Sequence, residues 1–255
     1  MRVTGERVVT RAGGFNPTWQ RHVAAYALCA ELLPNGRTLD LGCGIGHSHE
    51  LLAPRTTVGV DIDPDVLAGQ DRETHVADMR ELPFADSSFA GVLAVQSLEH
   101  VPDPGRVIAE ARRVSAPDGV SVFVTPNRFT FGPADEVIDP YHYVEFAPEE
   151  LRTLCLRHFE HVEMRGLFGS DRYLELVAEE GERLDRLLRR DPLRLRRLIP
   201  RRIRQRVYDW ALTRERHSND PRPMAITPDD FTLHDSQLVE ALDLVAVCRQ
   251  SGAPA

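Results

Sequence analysis

The chain has 255 residues, long enough to bury the core of one α/β domain with an appended lid. Apolar residues make up 42% of it and charged residues 27%, a globular composition that excludes a disordered or fibrous chain. The formal charge is −8 and all 31 basic residues are arginine, so chemistry that needs a lysine Schiff base is excluded.

Residues 1–14, MRVTGERVVTRAGG, hold no apolar run of signal-peptide length, and 18 consecutive apolar residues occur nowhere. The expected location is therefore the cytoplasm. Cys29, Cys43, Cys155 and Cys248 form no C-x-x-C pair, which points to reduced thiols and to no metal site.

A helix is expected from Pro17 to Leu33, then a strand from Arg37 to Leu41 and a short helix from Gly46 to Leu52. Aliphatic runs place further strands at Thr57–Asp61, Thr74–Ala77 and Gly91–Gln96. A helix over Pro104–Val114 leads to a fifth strand, Val120–Thr125, and Pro140–Phe146 reads as a loop. A helix over Pro148–Arg157 opens with a proline and two glutamates, as helix starts favour. Strands follow at His161–Leu167 and Leu244–Cys248.

This alternation predicts a mostly parallel, seven-stranded sheet with helices on both faces. Residues 1–36 form a helical cover, 37–168 the core sheet, 169–235 a helical insertion and 236–250 the closing strand. The insertion is basic: from Glu182 to Arg216 there are 13 arginines against 5 acids. Its leucines recur at helical spacing. A lid over the active site, a peripheral contact with anionic membrane through 182–216, and a polyanion-binding face all fit that pattern.

The strongest chemical signal is TLDLGCGIGHS, Thr38 to Ser48. An apolar strand ends in Asp40, and Gly42, Gly44 and Gly46 let the backbone turn and approach a ligand across the strand ends. Asp61 closes the second strand, where a carboxylate can accept from both hydroxyls of a ribose. Asp78 and Met79 follow the third strand and suit an adenine. The G-x-G-x-G spacing departs from the dinucleotide pattern, and acids around the turn favour a cationic ligand such as S-adenosylmethionine over a pyrophosphate.

From Thr38 to Asn127 the sequence resembles the class I S-adenosylmethionine-dependent methyltransferases of the small-molecule, methyltransferase type 11-like branch. The resemblance is carried by LDLGCGIG, VGVDID, HVADMRELPFADSSF, VQSLEHVPDP and GVSVFVTPN. It implies a Rossmann-like fold and S-adenosyl-L-methionine as cofactor. By the same resemblance Asp40, Gly42, Cys43, Gly44 and Gly46 surround the methionine part, Asp61 and Ile62 the ribose, and Asp78 and Met79 the adenine. Gln96 faces the sulfonium.

A small-molecule, sugar or glycolipid acceptor is expected, with a hydroxyl as the methylated group and nucleic acid disfavoured by the acidic body. A nucleic-acid or other polyanion methyltransferase and a non-catalytic cofactor-binding module are the alternatives. The catalytic candidates are His100, just past the fourth strand, and His142 in PYHYVEF, because histidine titrates near operating pH. Tyr141, Tyr143 and Glu145 are candidates to line the acceptor pocket, and Trp19 or Arg21 to close the site. His47 and His49 flank Ser48, but no third ligand follows them at a metal-binding spacing.

Overall fold

The computed structural model describes residues 16–131, 137, 139–188, 199–200, 203–205 and 221–250. One sheet is built from β1 (Arg37–Leu41), β2 (Thr56–Asp61), β3 (Glu73–Val76), β4 (Phe89–Val95), β5 (Ser115–Pro126), β6 (His161–Gly169), β7 (Phe231–His234) and β8 (Asp243–Arg249). Its spatial order is β3-β2-β1-β4-β5-β8-β6-β7. The first five strands pair in parallel, β8 runs antiparallel to both β5 and β6, and β7 runs antiparallel to β6. Six strands therefore point one way and β7 and β8 the other.

The central strands are buried on both faces, and their side chains alternate between two cores. On β4, Val92 and Ala94 face one cluster while Leu93 and Val95 face the other; on β8, Leu244, Ala246 and Cys248 oppose Val245 and Val247. The first face is covered by α4 (Pro104–Val114) and α6 (Pro148–Cys155), the second by α1 (Asn16–Ala30) and α7 (Asp171–Leu188). Leu93 is fully buried, so truncation to alanine there costs about 2–5 kcal/mol.

Local chemistry fixes the helices. Pro104 occupies the first turn of α4 and the Asp103 carboxylate accepts from the Arg106 amide at 3.2 Å, satisfying an amide that has no partner within the helix. Val107, Ile108, Ala111 and Val114 then fall on the sheet side. At α6, Pro148 leads and Glu150 reaches back to the Ala147 amide at 3.0 Å. The short helices α2 (Ser48–Leu51), α3 (Pro64–Leu67) and α5 (Arg128–Phe131) follow β1, β2 and β5.

The sheet has one strand more than the sequence pattern predicts. β7 lies inside the interval read as helical, and of its four residues only Phe231 is buried, so it carries no alternating signal. His234 stacks on Phe168 of β6 with ring centroids 3.7 Å apart. The junction where the insertion leaves and rejoins the sheet is tied at one residue. Asp230 accepts from Ser170 Oγ at 2.6 Å, from Arg172 Nε and Nη2 at 2.5 Å, and from the Thr227 amide at 2.9 Å.

Most of 182–216, the arginine-rich stretch expected to form a lid or a membrane contact, lies outside the described residues. So do residues 1–15. Among the described residues no helix is long and apolar enough to cross a membrane.

Candidate active site

The sheet changes direction of growth at β1, whose neighbours are β2 and β4. Loops leaving the carboxyl ends of such strands diverge and open a crevice. A cleft of about 380 Å³ lies there, lined from the turns after β1, β2, β3 and β4 and from α1.

The floor is the glycine turn. The Gly42 and Cys43 amides both donate to the Val60 carbonyl, at 2.8 and 3.0 Å, which pins the turn to β2. Gly42 has φ +71°, and a Cβ there would lie 2.6 Å from the Ser97 Cβ, so no other residue fits without displacing the turn after β4. Gly46 also needs a left-handed conformation, φ +80°. It stands just outside the cleft lining, whereas Gly42, Cys43 and Gly44 are part of it. Burial pushes the Cys43 thiol up to about 12, which leaves it no role as a nucleophile.

Three acids were expected round the turn, and the structure gives each a different position. Asp61 lines the cleft, with Oδ2 accepting from the Gly44 amide and Oδ1 from the Asp63 amide, both at 3.0 Å. Each oxygen retains a lone pair, so the carboxylate is oriented and still able to accept. Ile62 beside it is 70% exposed, and Met79 lines the cleft as well. Asp78 is forked by Arg80, with Nε to Oδ1 at 3.0 Å and Nη2 to Oδ2 at 2.6 Å, and that hydrogen bonding holds its pKa below the usual range. An adenine amino group would have to share it.

Asp40 does not reach the cleft. It is fully buried beneath the turn and accepts from Ser48 Oγ at 2.5 Å, Tyr26 Oη at 3.0 Å and Arg72 Nη2 at 3.0 Å. Arg72 Nε in turn holds Gln70, whose amide donates to the Gly44 carbonyl at 2.7 Å. Neither Arg72 nor Gln70 had a signal in the sequence.

From one side of the cleft, α1 contributes a ring cluster. His47 packs against Trp19, His22 and Tyr26, with centroids 4.7, 5.2 and 5.3 Å away. Both His47 ring nitrogens and Nδ1 of His22 are buried without a hydrogen-bond partner, yet both residues line the cleft. Burial lowers the pKa of each, and these nitrogens have almost no accessible surface, so a ligand reaches them only if the rings turn. Arg21 faces away and pairs with Asp243, donating also to the Leu242 carbonyl at 2.8 Å.

The other wall follows β4. Gln96 adopts φ +47°, costly for a residue with a Cβ, and its amide donates to Asp243 at 3.2 Å while the residue lines the cleft. His100 and Tyr143 line it as well, Tyr143 half exposed. His142 lies behind them, its ring centroid 5.1 Å from that of His100. His142 Nδ1 lies 2.9 Å from Glu145 Oε1 and His100 Nδ1 lies 3.3 Å from the Tyr141 carbonyl. Burial opposes protonation of His142, but the hydrogen bond to Glu145 and the charges of Glu99, Asp139 and Glu145 outweigh it and raise its pKa. Burial pushes Glu99 up to about 7.

Residues 39–123 match the family model described as a methyltransferase domain. A Mycobacterium tuberculosis protein named as a probable S-adenosylmethionine-dependent methyltransferase is 30% identical over 258 residues, covering 96% of this chain and 88% of the relative. The chain belongs to the S-adenosylmethionine-dependent methyltransferases. Over about two-fifths of its length the methyltransferase is also similar to the tocopherol O-methyltransferase of Arabidopsis thaliana, 31% identical across 41% of this chain and 34% of that one. The ubiquinone biosynthesis O-methyltransferase of Hahella chejuensis is 37% identical across 38% and 45%. The crystal structure of an S-adenosylmethionine-dependent methyltransferase from Thermotoga maritima has the same fold, with a TM-score of 0.56 at 17% identity over 90% of this chain and 92% of that one.

The residues of the cleft fit the family's cofactor. S-adenosylmethionine carries a carboxylate, an ammonium, a sulfonium and a ribose. The cleft offers an oriented carboxylate, Asp61, beside the apolar Ile62 and Met79, a polar and an apolar side for a nucleoside.

Proposed function

We propose that this methyltransferase transfers its methyl group to a hydroxyl of a small-molecule acceptor of the sugar or lipid-linked kind. The observation that carries the reading is the wall after β4, where Gln96, His100 and Tyr143 line the same cleft as the cofactor residues. It is supported by similarity to relatives named tocopherol O-methyltransferase and ubiquinone biosynthesis O-methyltransferase.

When bound, S-adenosylmethionine supplies an electrophilic methyl group on a sulfonium. In this reading Asp61 takes the ribose hydroxyls, Asp78 and Met79 border the adenine, and His22 and His47 meet the methionine end over the glycine turn. Asp40 acts through Tyr26, Ser48 and Arg72, which shape that turn. Gln96, braced by Asp243, sets the sulfonium side.

Methyl transfer is an in-line displacement. Aligning donor and acceptor supplies up to roughly 7–11 kcal/mol of the barrier lowering in favourable cases. His100 would hold the acceptor hydroxyl in line with the methyl group that the cofactor would supply, and the hydroxyl proton would leave on that side to water. His100 touches the acceptor, and His142 with Glu145 positions it.

The test is a kinetic split. His100→Ala is expected to lower kcat by about 100-fold or more, the range expected when an acceptor is misplaced, while the Kd for S-adenosylmethionine measured by calorimetry stays within about twofold. A variant with unchanged kcat on a methylated hydroxyl acceptor removes His100 from the mechanism.

A further inference from the structure

The wall that faces the acceptor holds a cluster of its own. Glu99 and His100 sit on the turn after β4, the loop before α6 brings His142 against them, and one donor atom from each of the three lies within 4.8 Å of the others. The pieces come from distant parts of the chain, so no sequence spacing announces them.

Their surroundings are those of ligands held ready. The Nδ1 of His142 is engaged by a carboxylate and that of His100 by a carbonyl, and Nε2 of His142 lies 4.0 Å from Asp139 Oδ2. Metal-bound imidazoles are oriented in this way, through a carboxylate or carbonyl on the second nitrogen. Glu99 is steadied by Thr125 Oγ1, which donates to its Oε2 at 3.1 Å.

One acceptor beside the cluster is unsatisfied as well: Glu145 is buried and its Oε2 has no hydrogen-bond partner, a costly state that a nearby cation would offset.

We infer that Glu99, His100 and His142 bind a divalent transition-metal ion, which takes the acceptor hydroxyl as a further ligand at the cleft wall. Two nitrogens and one oxygen suit zinc, manganese or iron, whereas magnesium prefers an all-oxygen shell. Metal–ligand bonds are about 2.0–2.2 Å long, and side-chain movements of about an ångström would bring the three donors to that distance. The binding claim stands on the cluster alone; the role of the ion rests on the O-methylation reading. Bound to the ion, the hydroxyl has a lowered pKa and its proton passes to water as oxygen takes the methyl group from sulfur.

Chelator-stripped protein is titrated by calorimetry with zinc, manganese and magnesium chlorides, and transfer from labelled S-adenosylmethionine is followed in parallel. One site per chain is expected for zinc or manganese. Its affinity should fall at least about 100-fold in Glu99→Gln, His100→Ala and His142→Ala, beyond the loss usual for groups that only orient a ligand. Circular dichroism confirms that each variant is folded, and Glu99→Gln preserves shape if the alanine variants unfold. Absence of a saturable site in the stripped wild type, or wild-type affinity in all three folded variants, overturns the metal site. Hydroxyl methylation that continues undiminished without metal overturns the ion's role and spares the hydroxyl reading. A metal site with products methylated only on nitrogen or carbon overturns the hydroxyl reading and spares the site.

Discussion

Arg72 and Asp40 form an ion pair sealed beneath the glycine turn: Nη2 donates to Oδ2 at 3.0 Å, and the two side chains are 1% and 0% exposed. Two further donors, Ser48 and Tyr26, complete the Asp40 carboxylate. Asp40 therefore acts as an internal brace for the turn.

Removing one partner of such a pair strands the other. Arg72→Met is expected to destabilise the fold by about 3–5 kcal/mol, a fall in Tm of roughly 10 °C for a chain of this size. Differential scanning calorimetry checks it. A Tm within about 1 °C of wild type would mean that Asp40 does not depend on Arg72.

Asp61 differs from Asp40 in having oxygens turned to the cleft. Asp61→Ala is expected to weaken S-adenosylmethionine binding about tenfold or more, since two ribose hydrogen bonds lose their acceptor. Calorimetry reads this directly, and an unchanged Kd would take the ribose away from Asp61.

Gly42→Ala introduces a Cβ at 2.6 Å from that of Ser97 and holds a side-chain-bearing residue at φ +71°. The expected cost is about 1–3 kcal/mol, with cofactor affinity lost in step because the floor must shift. Gly44→Ala offers the contrast, as its Cβ would meet nothing within 4 Å. Denaturant unfolding of the two variants should separate steric displacement from backbone strain, and equal losses would show that Ser97 yields.

Asp230 gives a pH dependence. Its hydrogen bonds to Arg172, Ser170 and the Thr227 amide hold its pKa well below the usual carboxylate value. A depressed pKa contributes stability that is present above the unfolded value, about 3.9, and is lost as pH falls through the folded value. The difference in urea midpoint between wild type and Asp230→Asn is therefore expected to be full above about pH 5 and to shrink towards pH 3. A difference that stays constant over that range would show that the junction does not depend on the ionised acid.

Much of the fold is legible in the sequence because aliphatic runs in a parallel sheet are bounded by the turn residues that end them. β1 and α4 have the bounds that the pattern predicts, Arg37–Leu41 and Pro104–Val114. β7 was not legible, since a four-residue edge strand with one buried side chain leaves no period to read.

The site divides in the same way. Gly42, Gly44 and Asp61 lie within one strand–turn–strand unit, so local order places them together. Asp40 sits in that unit too, but its partner Arg72 lies beyond α3, and only the pairing of β3 with β2 brings it underneath. The orphaned nitrogens of His47 depend on how α1 lies across the sheet, and the meeting of Glu99, His100 and His142 depends on a loop that returns after β5. Contacts of that kind are set by tertiary packing and not by spacing.

The most direct test of the account is where the methyl group goes. The protein is incubated with S-adenosylmethionine carrying a carbon-13 methyl group and with fractionated extract of the cell it comes from, and products are read by carbon NMR. The account predicts a methyl ether in a small saccharide or lipid-linked fraction, formed about 100-fold more slowly in His100→Ala. Label confined to nucleic acid or protein, or no transfer to any fraction, would contradict it.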